Sequence, residues 1–391
     1  MRFFCLSLLI AFFACQPTVD KKLAGIEFQI EEFKKEFIKD NRTALFNVKV
    51  EKTKNGKYQL SGETIFPKLK SSLLAKLHTS DPIIDSITVL PHSNLNGKNF
   101  GLVNLSVCNI RSKPKHSAEL ATQSILGTPV RVYKKAGDFF YIQTPDNYLG
   151  WVDDGGIQLM DSIEYKQWML SDRGVCIYDY SFVYEAPDLN SNKVTDLVAG
   201  NIFQIINSKN NFYEIKLPDG RTGFAKQEKI IPYDEWMESH QPLAENVIAT
   251  AKEMIGRPYL WGGTSGKGLD CSGFTKTAFY LNGIQLERDA SLQVHTGQKI
   301  DTDTTLKNLI PGDLLFFGKY REDGSERITH VAIYLGNGKI IHAADRVQIQ
   351  SLKRGDPDFV EYRLKSFMQA RRVIGSEGKN GIIALKDSPF Y

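Results

Sequence analysis

An internal repeat in the middle of the chain is the feature that most limits its possible folds. Residues 110–152 align without a gap with residues 183–225, and each copy holds short alternating strands, a Pro-Asp turn and a Gly-aromatic strand. This pattern predicts a small β-barrel in each copy, and two copies are too few for a solenoid, so we expect tandem modules. Identical residues occur at Pro114/Pro187, Gly127/Gly200, Phe139/Phe212, Pro145/Pro218, Asp146/Asp219 and Gly150/Gly223.

The two copies are closed by matching segments, "IEYKQWM" and "IPYDEWM". Both copies resemble bacterial SH3-like domains, which we place at residues 101–168 and 172–240. The resemblance implies modules that bind cell wall or act as spacers.

The first residues have the composition of an export signal. Met1 and Arg2 form a minimal positive region, and the apolar run "FFCLSLLIAFFA" has the length of a signal-peptide core, too short to span a bilayer. Residues 1–15 resemble a bacterial lipoprotein signal in which Cys15 is lipidated; an ordinary signal peptide cleaved nearby is the alternative. Both interpretations predict export, and we expect a lipoprotein anchored to a membrane on its periplasmic or cell-surface side.

Composition argues against several partners and cofactors. The formal net charge of +4 carries no dense Lys/Arg block, so we expect no nucleic acid partner. Apart from Cys5 and Cys15, the cysteines are Cys108, Cys176 and Cys271, and a Cys108–Cys176 bridge stays open although no spacing supports it. Without a C-x-x-C pair or a Cys/His cluster, we expect neither a metal nor another cofactor. We expect a monomer.

The remaining segments flank the repeat. Residues 20–100 are expected to form a helix and then a small α+β domain, because 45–91 reads as strand, hairpin turn at 54–57, strand, helix and strand. The sequence does not indicate what this domain binds. From residue 243 to 374 the pattern becomes α/β, and the polar residues 375–391 stay unassigned.

A lone cysteine stands at the predicted start of a helix in "LDCSGFTKTAFYLNG". Phe274, Ala278 and Leu281 have the spacing of a buried helical face, and Asn282-Gly283 ends the helix. Asp270 would be the N-cap and Cys271 would lie in the first turn. Since backbone N–H groups and the helix dipole favour negative charge there, we expect a lowered thiol pKa. The alternative is a small buried cysteine without a chemical role.

A thiolate nucleophile needs a base, and the base needs an orienting group. Two histidines lie in "ITHVAIYLGNGKIIHAAD", which predicts a hairpin with His330 on the first strand. A two-residue Asn-Gly loop would place His342 opposite Ile333, facing away from His330. A three-residue loop of residues 336–338 would place it opposite Ala332, on the same face, and Gly338 suits the left-handed end of such a loop.

Five segments in residues 243–374 together resemble the NlpC-type bacterial cell-wall cysteine peptidases, a papain-like family: "PYLWGG", "GLDCSGF", "RDASLQ", "PGDLLFF" and "HVAIYLGNGKIIHAA". With the SH3-like pair, the chain resembles the subgroup that cuts between γ-D-glutamate and an L-diamino acid in peptidoglycan stem peptides. The resemblance implies a multidomain α+β chain: a small N-terminal α+β domain, two SH3-like β-barrels and a C-terminal papain-like α+β peptidase domain.

The resemblance also implies residue roles, each with a structural alternative. Cys271 would be the nucleophile, His330 the base and His342 the third catalytic residue. Tyr259 would be a polar group near the oxyanion site, or a core aromatic residue. Asp270 would bind the substrate's free amine, or act only as an N-cap.

Four more residues are candidates for the substrate pocket. Ser272 and Ser291 are either small polar pocket residues or ordinary helix-start and loop residues. In the related subgroup an acid and a tyrosine of the first SH3-like domain close the pocket; here these would be Glu119 and Tyr148. The second copy has Asn192 and Arg221 instead, an asymmetry that surface drift would also explain.

The sequence therefore predicts a cysteine endopeptidase that hydrolyses the γ-D-glutamyl-L-diamino acid bond of stem peptides or muropeptides. Peptides with a free N-terminal L-Ala are the expected substrates, in cell-wall turnover or recycling. One alternative is a non-catalytic wall-binding lipoprotein, which would not need the cysteine and the histidines. Another is an amidase or acyl-transferase that uses the same Cys-His chemistry.

Overall fold

The computed structural model describes residues 20–79, 81–239 and 242–391. The expected signal segment and Cys15 lie outside these residues. The chain divides into two compact units. One contains Leu45–Leu90 with the chain up to Asn41, and the other contains Arg42–Ala44 and Pro91–Tyr391. No described helix is long and apolar enough to cross a membrane.

The N-terminal unit has the predicted order of elements. Its first helix begins after Asp20, whose carboxylate accepts hydrogen bonds from the N–H groups of Lys22 and Leu23. β1 and β2 are antiparallel, whereas β3 returns through α2 to pair in parallel with β2. The elements are α1 (Lys21–Phe37), β1 (Phe46–Lys52), β2 (Tyr58–Thr64), α2 (Pro67–Lys76) and β3 (Ile83–Val89). The unit ends at Leu90, not at residue 100 as expected.

The first repeat copy forms a seven-stranded sheet in the order β10-β4-β7-β8-β9-β5-β6. Its first strand begins at Phe100, because this strand pairs with β7 and β10. The elements are β4 (Phe100–Val103), β5 (Val107–Arg111), β6 (Leu120–Ile125), β7 (Pro129–Ala136), β8 (Phe139–Gln143), β9 (Leu149–Asp153), β10 (Ile157–Met160) and α3 (Ser162–Met169).

The strands of the second copy lie in the order β13-β12-β16-β15-β14-β11-β17. Read from β17 to β13, this order repeats the topology of the first copy strand for strand. Equivalent bulges follow Val132 in the first barrel and Ile205 in the second. The predicted tandem barrels are therefore confirmed. The elements are β11 (Arg173–Cys176), β12 (Ser181–Tyr184), β13 (Lys193–Leu197), β14 (Ile202–Lys209), β15 (Phe212–Lys216), β16 (Thr222–Lys226), β17 (Ile230–Pro232) and α4 (Tyr233–Ser239).

The two barrels keep separate cores, which settles the disulfide question. Cys108 is buried in the first core and Cys176 in the second. Both are free thiols, so the bridge that the sequence left open is not formed. Burial raises the pKa of the Cys108 thiol to about 12, which keeps it protonated and chemically inert at neutral pH.

The C-terminal domain packs helices against a six-stranded sheet in the order β21-β26-β22-β23-β24-β25. Phe274 and Ala278 of its central helix are fully buried, as the spacing predicts. The elements are α5 (Ala244–Glu253), β18 (Thr264–Ser265), β19 (Gly268–Leu269), α6 (Cys271–Tyr280), β20 (Ile284–Gln285), α7 (Ala290–Gln293), β21 (Gln298–Ile300), β22 (Leu314–Tyr320), β23 (Glu326–Gly336), β24 (Lys339–Ala344), β25 (Arg346–Ser351), α8 (Glu361–Lys365), β26 (Phe367–Arg372) and β27 (Ile383–Ala384).

The hairpin of β23 and β24 has the register predicted for a three-residue loop but a different turn. Ile333 pairs with Ile341. The turn itself consists of two residues, Asn337 and Gly338, which both have positive φ, at 52° and 78°. A bulge before Gly336 adds the extra residue, and the register shift it causes brings both histidines to one face.

The tail that the sequence left unassigned is folded. β27 pairs with β20, and Leu385 is fully buried. The ring of the last residue, Tyr391, lies 5.9 Å from that of Tyr280 on α6. The tail therefore completes the core beneath the helix that starts at Cys271.

Candidate active site

The Cys271 side chain lies at the start of α6, as predicted. Asp270 caps the helix, and its Oδ1 accepts a hydrogen bond of 2.7 Å from the Gly273 N–H. The thiol faces β23, where the backbone of Val331, next to His330, hydrogen-bonds to the sulfur. The helix start thus brings the cysteine against the strand that carries the predicted base.

The expected fall in the thiol pKa is wrong. Burial and the neighbouring Asp270 carboxylate raise the pKa of Cys271 to about 11. Backbone hydrogen bonds from Val331 on β23 and from Ser272 in the first turn of α6 lower it, and the second is the one that the helix-start argument requires, but burial outweighs them. The free thiol is therefore protonated at neutral pH and needs a base to take its proton.

The two histidines meet in the core of the sheet. His330 Nε2 lies 2.8 Å from His342 Nδ1, and the rings cross at 85°. His342 Nε2 lies 2.8 Å from Oε1 of Gln350 on β25. Because that oxygen only accepts, His342 carries its proton on Nε2 and accepts from His330 through Nδ1. His330 is then protonated on Nε2, and its Nδ1 is the atom that can take the thiol proton.

Both imidazoles are held neutral. Burial, with the positive charge of Arg363 as a further cause, lowers the pKa of His330 well below its usual value. The same two causes lower the pKa of His342 to about 4. A neutral His330 beside a protonated thiol can act as a general base at neutral pH. Sequence reasoning missed Gln350, although extending the strand alternation across β24 and β25 would have placed it on the histidines' face.

Asp270 does more than cap the helix, since it forms a buried ion pair with Arg288. Arg288 Nη2 lies 2.6 Å from Asp270 Oδ2 and Nη1 lies 3.1 Å from Oδ1. Oδ2 also accepts from the Gly262 N–H at 2.9 Å. Both carboxylate oxygens therefore have protein partners. Arg288, missed from the sequence although it stands in "RDASLQ", is 1% exposed, and leaving it unpaired would cost about 3–5 kcal/mol.

The two predicted pocket serines have protein partners as well. Ser272 Oγ accepts from Arg288 Nη1 at 3.0 Å and is buried. Ser291 Oγ accepts from Arg42 Nη2 at 3.1 Å. Arg42 also forms an ion pair of 2.5 Å with Asp289. No signal in the sequence pointed to Arg42, because it precedes the first barrel by a whole domain.

The first barrel supplies both side chains that the sequence proposed. Glu119, exposed, accepts a hydrogen bond of 2.8 Å from the indole N–H of Trp261. Tyr148, buried, donates its hydroxyl to Asp289 Oδ2 at 3.0 Å. Trp261 itself is 63% exposed.

The second-barrel counterparts of Glu119 and Tyr148 do not contact the peptidase domain. Asn192 donates to Glu185 of its own barrel. Arg221 pairs with Asp219 and donates to the backbone oxygen of Asn104. The asymmetry in the sequence thus corresponds to a difference in position: Glu119 and Tyr148 contact the peptidase domain, and their counterparts do not.

Tyr259 is half-buried beside the thiol. Its N–H donates to the Asp345 backbone oxygen at 2.9 Å. Burial, followed by the charges of Cys271 and Asp270, raises the pKa of its hydroxyl, so Tyr259 stays a neutral hydrogen-bond donor. No three His, Cys, Asp or Glu side chains come together as metal ligands in the described part of the chain.

Three family models match the chain in the order of its domains. The bacterial dipeptidyl-peptidase SH3 domain matches residues 110–157, the bacterial SH3 domain residues 179–229, and the NlpC/P60 family residues 256–365.

Known proteins resemble the chain over about two thirds of its length. Dipeptidyl-peptidase 6 of Lysinibacillus sphaericus is 30% identical over 64% of this chain and 91% of its own length. The γ-D-glutamyl-L-lysine dipeptidyl-peptidase of Bacillus cereus is 29% identical over 66% of this chain and 76% of its own. A crystal structure of an NlpC/P60 family protein from Bacillus cereus shares the fold with a TM-score of 0.59, at 24% identity, and covers 70% of this chain and 99% of that one.

Proposed function

Because this chain belongs to the NlpC/P60 family of cysteine peptidases, we propose that it hydrolyses the γ-D-glutamyl-L-diamino acid bond of peptidoglycan stem peptides with a free N-terminal L-Ala. The observation that carries the proposal is the position of Glu119 and Tyr148. Both come from the first barrel and hydrogen-bond to Trp261 and Asp289 of the peptidase domain, and we assign to them the closed end of the site beside Cys271. The named relatives are dipeptidyl-peptidases. An enzyme that releases a dipeptide needs a site that is closed two residues before the scissile bond.

The reaction follows from the neutral Cys-His pair. As the sulfur of Cys271 attacks the γ-carbonyl carbon, the thiol proton passes to Nδ1 of His330. The C–N bond then breaks, and the leaving amine takes that proton from His330, which leaves a thioester on the cysteine. Water, deprotonated by His330, attacks the thioester, and the proton returns to the thiol as the dipeptide leaves.

The orienting groups fix this proton path. The chain from His330 through His342 to Gln350 holds the ring of the base and occupies its Nε2, so Nδ1 is the nitrogen left to take the thiol proton. A wall-binding protein without catalysis would gain nothing from burying two neutral imidazoles, because desolvation of such groups costs free energy.

Recognition of the free amine is assigned to Glu119 and Tyr148. Asp270 is less suited than expected, since its two oxygens are occupied by Arg288, Gly262 and Gly273. Asp270 instead holds Arg288 and the backbone at Gly262 in place. Glu119 makes a single side-chain hydrogen bond among the described residues, so its carboxylate is free to accept from an ammonium. Charge-assisted hydrogen bonds to a desolvated ammonium contribute about 1.5–3 kcal/mol each.

The test compares kcat/KM on free L-Ala-γ-D-Glu-diaminopimelate with that on the same peptide capped by muramic acid. Two charge-assisted bonds at the closed end predict that the free peptide is preferred by about a hundredfold or more. Equal rates would mean an open groove and an enzyme of intact wall. Cleavage at the muramoyl-L-alanine bond instead would identify an amidase.

The cellular setting is part of the same proposal. Peptidoglycan peptides are the substrates of this family of peptidases. We propose that Cys15 is lipidated and that the chain is a membrane-anchored, exported monomer. Mass spectrometry of the N-terminal peptide from the native protein, with Cys15→Ser as control, tests the anchor, and light scattering tests the monomer.

A further inference from the structure

One cation beside the catalytic groups has no counterion within hydrogen-bonding distance among the described residues. Arg363 lies on α8 and is half-buried, and its side chain makes no ion pair or hydrogen bond with the residues that the structure describes. Its guanidinium lies 5.8 Å from the ring of Phe317, whose ring is in turn 5.8 Å from that of His330. A cation–π contact at this distance does not neutralise the charge.

The Arg363 charge acts on both histidines. After burial, it is the second cause that lowers the pKa of His330 and of His342. Burial also lowers the pKa of Arg363, while Tyr362 and Cys271, when ionised, and the Asp345 carboxylate act in the opposite direction. A partly desolvated cation without a partner is unfavourable in the free protein, and an anion bound beside it would relieve that cost.

The position of Arg363 relative to the scissile bond indicates which anion of the substrate would bind beside it. The amine end of the substrate is assigned to Glu119 and Tyr148, on the Asp270 side of the thiol. Arg363 and His330 both contact the ring of Phe317, and His330 protonates the leaving amine. Groups beside His330 therefore face the residue that leaves.

We propose that Arg363 is a specificity-determining residue that binds a carboxylate of the leaving diamino acid. The proposal rests on the proposed function and adds the chemistry of the second half of the substrate. Two carboxylates qualify: the main-chain carboxylate of a diamino acid at the peptide's C-terminus, and the side-chain carboxylate of diaminopimelate. Asp345, exposed and within electrostatic reach of Arg363, adds an acid for the ammonium beside that side-chain carboxylate.

Three substrates separate these sources: L-Ala-γ-D-Glu-L-Lys, its C-terminal amide, and the diaminopimelate peptide amidated at its main-chain carboxylate. The first has only the main-chain carboxylate, the second has none, and the third has only the side-chain carboxylate. Each is assayed with wild type, Arg363→Gln, Arg363→Lys and, as a control on the same helix, Lys365→Gln, whose side chain is 67% exposed.

Arg363→Gln should lower kcat/KM by about 10- to 100-fold, chiefly through KM, on whichever substrate carries the bound carboxylate. The loss on the Lys amide should stay within about threefold, Arg363→Lys should recover part of the activity, and Lys365→Gln should change nothing. An equal loss on all three substrates would overturn the proposal and leave Arg363 acting only on the Cys-His pair.

Binding separates this proposal from the proposed function. In a Cys271→Ala background, calorimetry gives the Kd of each peptide whether or not it is a substrate. A Kd that weakens about 10- to 100-fold with Arg363→Gln only for carboxylate-bearing peptides supports the proposal. A Kd that does not respond to the carboxylates overturns it. Wild-type cleavage rates test the proposed function independently.

Discussion

The two barrels have the same strand order and the same bulge, yet only the first supplies side chains to the candidate site. Glu119 and Tyr148 contact Trp261 and Asp289 of the peptidase domain. Strand β6 of the same barrel continues the contact, because Thr122 accepts from the buried Arg288 at 2.9 Å.

The second barrel holds the peptidase domain by other means. Asp196 pairs with Lys267 at 2.7 Å, and Arg257 forms an ion pair with Asp179. None of these charges is among the causes that shift the pKa of Cys271, His330 or His342. The difference teaches that a duplicated scaffold can diverge at a few loop positions, so that one copy becomes part of a binding site while the other remains structural.

The largest loss of activity is expected from a change in the peptidase domain and not in either barrel. Cys271→Ala should reduce kcat by at least about 10⁴-fold, because no other group can form the thioester. Alanine suits the first turn of a helix, so the melting temperature should match that of the wild type. A continuous assay with mass spectrometry of products checks this, and a chelator should have no effect. Activity that survives in Cys271→Ala would place the chemistry elsewhere.

The two histidines should differ in importance. His330→Gln should lose about 10³-fold or more, since the base itself is removed. His342→Gln should lose only about 10- to 100-fold, because an amide oxygen can still accept from His330 Nε2. Single-turnover rates of both variants, with Gln350→Ala as a third, measure the difference. Equal and complete losses would mean that His342 does more than orient the ring.

The barrels themselves are compared by matched variants. Glu119→Gln should lower kcat/KM on the free peptide by about 10- to 100-fold and leave the muramic acid-capped peptide unchanged, since only the free peptide carries the ammonium. Asn192→Ala, at the equivalent position of the second barrel, should stay within about twofold on both peptides. If both variants lose activity equally, the asymmetry between the barrels has no role in recognition.

Changing the pH sharpens the same comparison. Activity needs one proton on the Cys-His pair, so it is lost when His330 gains a second proton at low pH and when the pair loses its proton at high pH. Burial lowers the pKa of His330 and raises that of Cys271 to about 11. The kcat/KM profile should therefore be flat from about pH 6.5 to 9, with an acid limb below 6.5.

No barrel residue is among the causes of the His330 and Cys271 shifts, so Glu119→Gln should keep both limbs in place. The control is Arg363→Gln, which should move the acid limb to higher pH because a positive charge near His330 is removed. An acid limb at or above pH 6.5 in the wild type would mean a solvated pair.

The features that the sequence predicted correctly depend on residues close together in the chain. The barrels follow from strand alternation and turns within each copy, and the Cys271 helix follows from its cap and its spacing. The common face of His330 and His342 required only the register of one hairpin. The bulge that sets this register was not predictable, because the two-residue Asn337-Gly338 turn is equally compatible with an unbulged pair.

What the sequence missed depends on tertiary contacts. The thiol pKa rises because the folded domain buries Cys271, a cost that a helix-start argument does not contain. Arg288 and Asp270 are 18 residues apart in sequence, and their pairing becomes visible only when β6 of the first barrel covers them. Arg42 reaches the site over an even longer separation from Asp289.

The smallest effect is expected at Arg42, the contact that precedes both barrels in the chain. Its guanidinium is 39% exposed, and such ion pairs contribute about 1 kcal/mol or less, so Arg42→Ala should lower kcat/KM on the free peptide by about two- to fivefold. The loss should appear in KM, because Asp289 also accepts the Tyr148 hydroxyl and would hold it less firmly. Lys135→Ala, which removes an exposed ion pair with Asp154 on the first barrel, is the matched control and should change nothing. Added salt should reduce the loss of kcat/KM in Arg42→Ala. At every ionic strength, the loss in Glu119→Gln should be the larger of the two. A loss at Arg42 as large as that at Glu119 would mean that the closed end is built as much by the segment before the barrels as by the first barrel.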